Sequence, residues 1–95
     1  MARYRPGIPP RVAEVIRHLP PEVKRGIKAA IRALCNDPAL GEPLQRDLEG
    51  LLKYRVKRYR VVYALDRKRK LFRVMAVGHR RAVYEELADL VRQSR

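Results

Sequence analysis

Ninety-five residues, 46 % of them hydrophobic and 35 % charged, carry a net charge of +13, which excludes a second domain and also the apolar-poor composition of a disordered chain. No apolar run approaches the roughly 20 residues that span a bilayer. One cysteine forbids an internal disulfide, and one Cys with two His, at positions 18 and 79, makes no metal-ligand cluster, so one cytoplasmic domain over residues 1–95, without metal or cofactor, is expected.

The N-terminal residues MARYRPGIPPR contain no run of signal-peptide type. Tyr4 and Ile8 permit a strand there, but Pro6, Gly7, Pro9 and Pro10 confine it to an edge or to a few residues. Residues 11–19 then place Val12, Val15, Ile16 and Leu19 at helical spacing, and Pro20 with Pro21 ends that helix and starts another. In the second helix Val23, Ile27, Ala30, Ile31 and Leu34 form one stripe, which Asn36, Asp37 and Pro38 close. Cys35 belongs to this stripe and reads as a small core residue. The two helices predict a hairpin that must bury its stripes against something else.

That something is a sheet. Leu40, Leu44, Leu48, Leu51 and Leu52, interspersed with Gly41, Pro43 and Gly50, predict a loop with one short helical turn that tucks leucines under the sheet edge. Strands are expected at about 52–57, 59–65 and 71–78, with DRKRK turning the chain between the last two. Tyr59, Val61, Tyr63 and Leu65 share one face of the middle strand and Arg60, Val62 and Ala64 the other, so apolar groups on both faces predict cover on both sides. From Ala82 the stripe of Val83, Leu87, Leu90 and Val91 predicts a short C-terminal helix.

Charge is concentrated in this second half. Residues 53–81 hold twelve Lys or Arg against the single acid Asp66, while the rest of the chain has 11 basic and 9 acidic residues. Such local self-repulsion opposes compaction and is tolerated where a negative partner is met. Because apolar and basic residues alternate with a period of two, the charge stands on a pleated sheet, which suits nucleic-acid phosphates.

Two motifs, L-x-G-x-x-K-Y-R-V-x-x-Y-R-V-V-Y from Leu48 and V-G-H-R-x-x-V-Y from Val77, sit in the order helix, LPPEV, helix, strands. With them, residues 10–90 resemble the RelE/ParE superfamily of small bacterial and archaeal toxins. The resemblance implies an α+β fold in which an N-terminal helical hairpin packs on a small, mainly antiparallel twisted sheet with a short C-terminal helix at its rim. It also implies a toxin–antitoxin pair in which a cognate antitoxin covers the basic surface with an acidic, partly helical segment, the toxin being a monomer within the complex. RelE-like members cut mRNA in the ribosomal decoding site, and ParE-like members inhibit DNA gyrase.

Metal-free RNA cleavage by the 2'-hydroxyl needs a base for that hydroxyl, cations for the charge growing on the phosphorane, and a proton donor for the leaving 5'-oxygen. The RelE-like arrangement maps onto Lys53, Arg55, Arg60, Arg80 and Tyr84. Lys53, Arg55 and Lys57 are expected on one strand face. Arg55 stands where the type member has Lys, and a guanidinium can clamp phosphate but not accept a proton. Lys53 is then the expected base, since like charge disfavours an ammonium's charged form. His79 is the other candidate, because histidines ordinarily titrate near neutrality. Arg81 and Lys57 are secondary candidates, Tyr54 is a candidate base-stacking residue, and Arg58 and Arg73 are candidate RNA contacts. Arg67, Lys68, Arg69 and Lys70 at the hairpin tip are candidates for touching ribosomal RNA. The expected function is that of a ribosome-dependent mRNA endoribonuclease; the alternatives are a gyrase inhibitor and an inactive RNA-binding member.

Overall fold

Pro10 and Pro21 each stand in the first turn of a helix, where a missing N–H leaves no bond unmade. The helices they open are α1, Pro10–Arg17, and α2, Pro21–Asn36, in the computed structural model, which describes residues 3–44, 50–79, 82–85 and 87. α1 stops two residues short of the expected 19, because Leu19 precedes Pro20 and is disfavoured in the α region. His18 and Leu19 instead donate to the Val15 and Ile16 carbonyls, a tightened last turn. α1 buries Val12 and Ile16, whereas Val15, expected on the same stripe, is 37 % exposed. In α2 the stripe of Ile27, Ala30, Ile31, Leu34 and Cys35 is buried, and Gly26 lets the helix lie against the sheet. A Cβ at Gly26 would stand 2.9 Å from the Val56 methyl.

Five strands form one sheet in the order β1-β5-β4-β3-β2. They are β1, Arg5–Gly7; β2, Glu42–Pro43; β3, Leu52–Val56; β4, Tyr59–Asp66; and β5, Leu71–His79. β1 runs parallel to β5 and the other pairs are antiparallel. The prolines hold β1 to three residues on an edge, as expected. β2 was not expected: it is two residues long and contains Pro43, too little pattern to read. Before it, Pro38–Leu40 form a single 3₁₀ turn. Gly41 then passes so close to Tyr63 that any side chain there would meet its hydroxyl. The Tyr63 hydroxyl donates to the Pro38 carbonyl at 2.8 Å.

Two tight turns shape the rest. Val56 pairs with Tyr59, leaving Lys57 and Arg58 as a two-residue connection with Lys57 at φ 56°. Lys57 is therefore in the turn and not on the β3 face that carries Lys53 and Arg55, a correction to the expected strand over 52–57. In the second turn Asp66 accepts from the Arg69 N–H at 3.0 Å, and Lys70 takes φ 54°.

β4 and β5 do not stay in simple register: Val62 faces Ala76 and the next residue, Tyr63, faces Val74. Met75 is the extra residue of a β-bulge. Side chains of β5 after the bulge therefore point opposite to where simple alternation would send them, and His79 joins the helix-covered face.

The core has two parts. On one face Val61, Tyr63, Phe72, Val74 and Val77 pack with Tyr4 and the α1 and α2 stripes. On the other, Val62 and Ala76 pack with Val83 and Leu87, with Leu44, Leu51, Met75 and Tyr84 around them. Residues 82–85 and 87 are helical, so both faces are covered, as the two-sided β4 predicts. Leu40 is 49 % exposed and does not join the leucines under the edge. Leu48, Leu90 and Val91 lie outside the described residues. Among the described residues no helix is long and apolar enough to cross a membrane.

Candidate nucleic-acid interface

Strand pairing sets the site. On β3, Lys53 and Arg55 point away from the helical hairpin, because their partners across β4 are Val62 and Arg60, and Val62 belongs to the second core. Directly opposite like charges destabilise a strand pair, yet Arg55 and Arg60 occupy such a position. Each is restrained by a backbone acceptor: Arg55 Nε donates to the Lys57 carbonyl at 3.0 Å and Arg60 to the Tyr59 carbonyl at 3.3 Å.

Lys53, Arg55 and Arg60 line a depression of about 360 Å³ together with Leu40, Glu42 and Tyr54. Glu42 is the residue that sequence reasoning missed. It is the register partner of Lys53 across β2, and a carboxylate is a group of the kind that serves as a general base. Only the unpredicted β2 brings it there, so no spacing rule exposed it.

Tyr84 packs half-buried at the rim of the second core. A Cβ added to Gly78, the partner of Arg60, would lie 3.7 Å from Val83. The helical residues 82–85 thus start on the same face as Arg60. Arg80 and Arg81 lie outside the described residues.

Other candidates are placed elsewhere. Tyr54 faces Val61 and is half-buried against the first core, on the side opposite Lys53 and Arg55, although it contributes to the rim of their depression. The Lys57 ammonium reaches back to Glu22 of α2 at 3.4 Å, an exposed pair of little energetic weight. His79 is exposed, with its ring 4.3 Å from that of Tyr59 on the helix side. Arg58 lies exposed in the turn. Arg73 pairs with Ala64 and lines a separate depression of about 460 Å³ with Leu65, Asp66, Arg67 and Lys68 at the other end of β4. Tyr63 is a core residue and Tyr59 packs at the edge of that core. Among the described residues no three His, Cys, Asp or Glu side chains gather as metal ligands.

Chemically, the depression offers two guanidiniums and one ammonium from the β3–β4 hairpin and one carboxylate from β2 beside it. It can clamp a phosphate and move a proton beside it.

Residues 11–84 match the family described as the ParE toxin of type II toxin–antitoxin systems. The chain is 34 % identical over 83 residues to the toxin RelE of Mycobacterium tuberculosis, covering 85 % of this chain and 86 % of that protein. Its fold is similar to the RelBE2 toxin–antitoxin complex of the same organism, with a TM-score of 0.77 and 26 % identity over 84 % of this chain and 94 % of that one. It is also similar to a doubly substituted form of the E. coli toxin RelE in the free state, with a TM-score of 0.73 and 23 % identity over 94 % and 97 % of the two chains.

Proposed function

This chain belongs to the RelE/ParE superfamily of toxins from type II toxin–antitoxin systems, and from that premise we propose that it is an endoribonuclease that cleaves mRNA on the ribosome and so inhibits translation. The observation that carries this reading is the depression that Lys53, Arg55 and Arg60 line together with Glu42. A protein that only binds has no chemical need for a proton acceptor among its phosphate clamps.

In the proposed reaction the 2'-oxygen attacks the adjacent phosphorus and the bond from phosphorus to the 5'-oxygen breaks, leaving a 2',3'-cyclic phosphate and a 5'-hydroxyl. Glu42 or its neighbour Lys53 takes the proton of the 2'-hydroxyl. Arg55, Arg60 and Arg80 carry the charge that develops on the phosphorane oxygens, a preorganised electrostatic role. The Tyr84 hydroxyl, a donor in its neutral form, gives the proton to the leaving oxygen. Arg55 is exposed and Lys53 and Arg60 are half-buried, so an external surface must hold the 2'-hydroxyl in line; the ribosome supplies it in this reading.

The partner in the cell is a cognate antitoxin, as in the M. tuberculosis RelBE2 complex. With +13 net charge, the toxin calls for an acidic, partly helical segment, which complementary charge would steer onto the sheet. A second reading, inhibition of DNA gyrase, is favoured by the match to the ParE toxin family.

One experiment separates them. The chain is expressed without antitoxin, the 5' ends of cellular mRNA are mapped, and the purified protein is added to a gyrase supercoiling assay. Cuts inside translated codons with supercoiling intact are expected. Intact mRNA with inhibited supercoiling would assign the protein to the gyrase inhibitors.

A further inference from the structure

Beside the depression of Lys53 and Glu42 lies another of about 370 Å³, lined by Arg55, Arg58, Arg60 and His79. Among the described residues no carboxylate lines it. The hydrogen bonds that restrain Arg55 and Arg60 run to the carbonyls of Lys57 and Tyr59, the two residues that flank Arg58. Both guanidiniums are thus drawn toward the turn, and each has further N–H groups left to donate. Lys57, the other turn residue, directs its ammonium to Glu22 on the helix side, so the cation that the turn contributes here is Arg58. His79 sits on the helix side, its ring 4.3 Å from that of Tyr59, and borders the depression from the end of β5.

We propose that this depression is a second phosphate subsite, which binds the phosphate next to the scissile one in a single-stranded RNA. That the anion is RNA rests on the function proposed above. Arg55 and Arg60 line both depressions, so two bound phosphates share them as a common wall. Lys53 and Arg55 stand roughly 7 Å apart along the strand, a step that one sugar–phosphate unit can bridge. Glu42 lies in the neighbouring depression and not in this one, so an anion between the three guanidiniums would relieve their mutual repulsion here. The subsite fixes the register of the strand: with one phosphate seated at Arg58 and His79, only one phosphate lies over Lys53 and Glu42.

The test uses the intact protein and two short single-stranded RNAs of the same sequence, all 2'-O-methylated so that they cannot be cut. One ends at the phosphate of the cleavable step, and the other carries one phosphate more on the side of the subsite. Wild type should bind the longer RNA several-fold more tightly, and its plot of log affinity against log salt should be steeper by about 0.7, the value of one single-strand phosphate contact. Arg58→Ala should erase both differences, His79→Ala should reduce them, and Arg32→Ala on the exposed side of α2 should leave them as in wild type. Equal affinity of wild type for the two RNAs, or an Arg58→Ala protein that keeps the full difference, would overturn the subsite. Because neither RNA can be cleaved, these outcomes stand apart from the mapping of mRNA 5' ends that tests the function.

Discussion

The Arg11 guanidinium of α1 donates to the carbonyl of Met75 at 3.0 Å. Met75 is the residue that β5 inserts against β4, and β1 pairs with β5 only as far as Arg73. The helix thus supplies a donor on the stretch of β5 that β1 leaves uncovered. Arg11→Ala is expected to lower stability by about 1 kcal/mol, the scale of one hydrogen bond whose acceptor can turn to water. Urea unfolding at constant m-value checks this, and Arg11→Lys should recover part of the loss.

The clamps have a separate signature. Arg60→Ala and Arg80→Ala should each lower the single-turnover cleavage rate on ribosome-bound mRNA by about 10² or more, as when one preorganised donor is lost. Arg60→Lys should restore only a fraction, since an ammonium lacks the planar fork of two parallel donors. Full activity of the alanine variants would remove these residues from the reaction.

Proton transfer is read from pH. If Glu42 accepts the proton, Glu42→Gln should cost about 10² to 10⁴ in rate, and the residual rate should climb tenfold per pH unit as hydroxide substitutes. If Lys53 is the acceptor, Lys53→Ala shows that dependence and Glu42→Gln keeps the parent profile. His79→Ala should alter binding and leave the profile unchanged; the opposite behaviour would make His79 the base.

Antitoxin binding should be visible in hydrogen exchange. With an acidic segment across the sheet, amides of β3 and β4 and of residues 82–85 should slow in the complex. The short C-terminal helix depends on packing for its stability, so its apolar residues Val83 and Leu87 are the ones a partner would compete for. Unchanged exchange in both regions would contradict this mode of binding.

Two buried acids make stability depend on alkaline pH. Burial pushes the Cys35 thiol above its ordinary 9.0, opposed by nearby Arg3. Burial likewise pushes the Tyr63 hydroxyl above 10.0, with a Gly41 backbone hydrogen bond acting against it and the Asp37 charge adding to it. Both folded-state values exceed the unfolded ones, so this contribution is complete below about pH 9 and is lost as pH rises through the folded values. Urea midpoints between pH 8 and 11 should fall for the parent protein and fall less for Tyr63→Phe, which cannot ionise.

Much of the fold was legible in the chain. The stripe from Val23 to Leu34 specified α2, because helical periodicity over many residues is hard to mistake. Arg60, Val62 and Ala64 opposite Tyr59, Val61 and Tyr63 specified a strand with two covered faces. What escaped was set by contacts distant in sequence. β2 exists because Glu42 and Pro43 meet Lys53 and Leu52, so Glu42 could not be placed beside the clamps. The side of the sheet given to His79 depends on the bulge at Met75, which no alternation of residue types announces. The split of Lys53 and Arg55 from Lys57 comes from a turn one residue earlier than the pattern suggested.

Lys57 and Lys70 both hold left-handed backbone angles, positions where glycine or asparagine is at ease and a longer residue is strained by about 1–2 kcal/mol. The two lysines stand at the two ends of β4, so the strand that carries Arg60 is bracketed by turns built for charge at the expense of conformational ease. This leaves unused thermal tolerance in the chain. Glycine at both turns would relieve that strain, less about 0.5–1 kcal/mol at each site for the freedom glycine adds to the unfolded chain, and would carry two fewer positive charges toward an anionic partner.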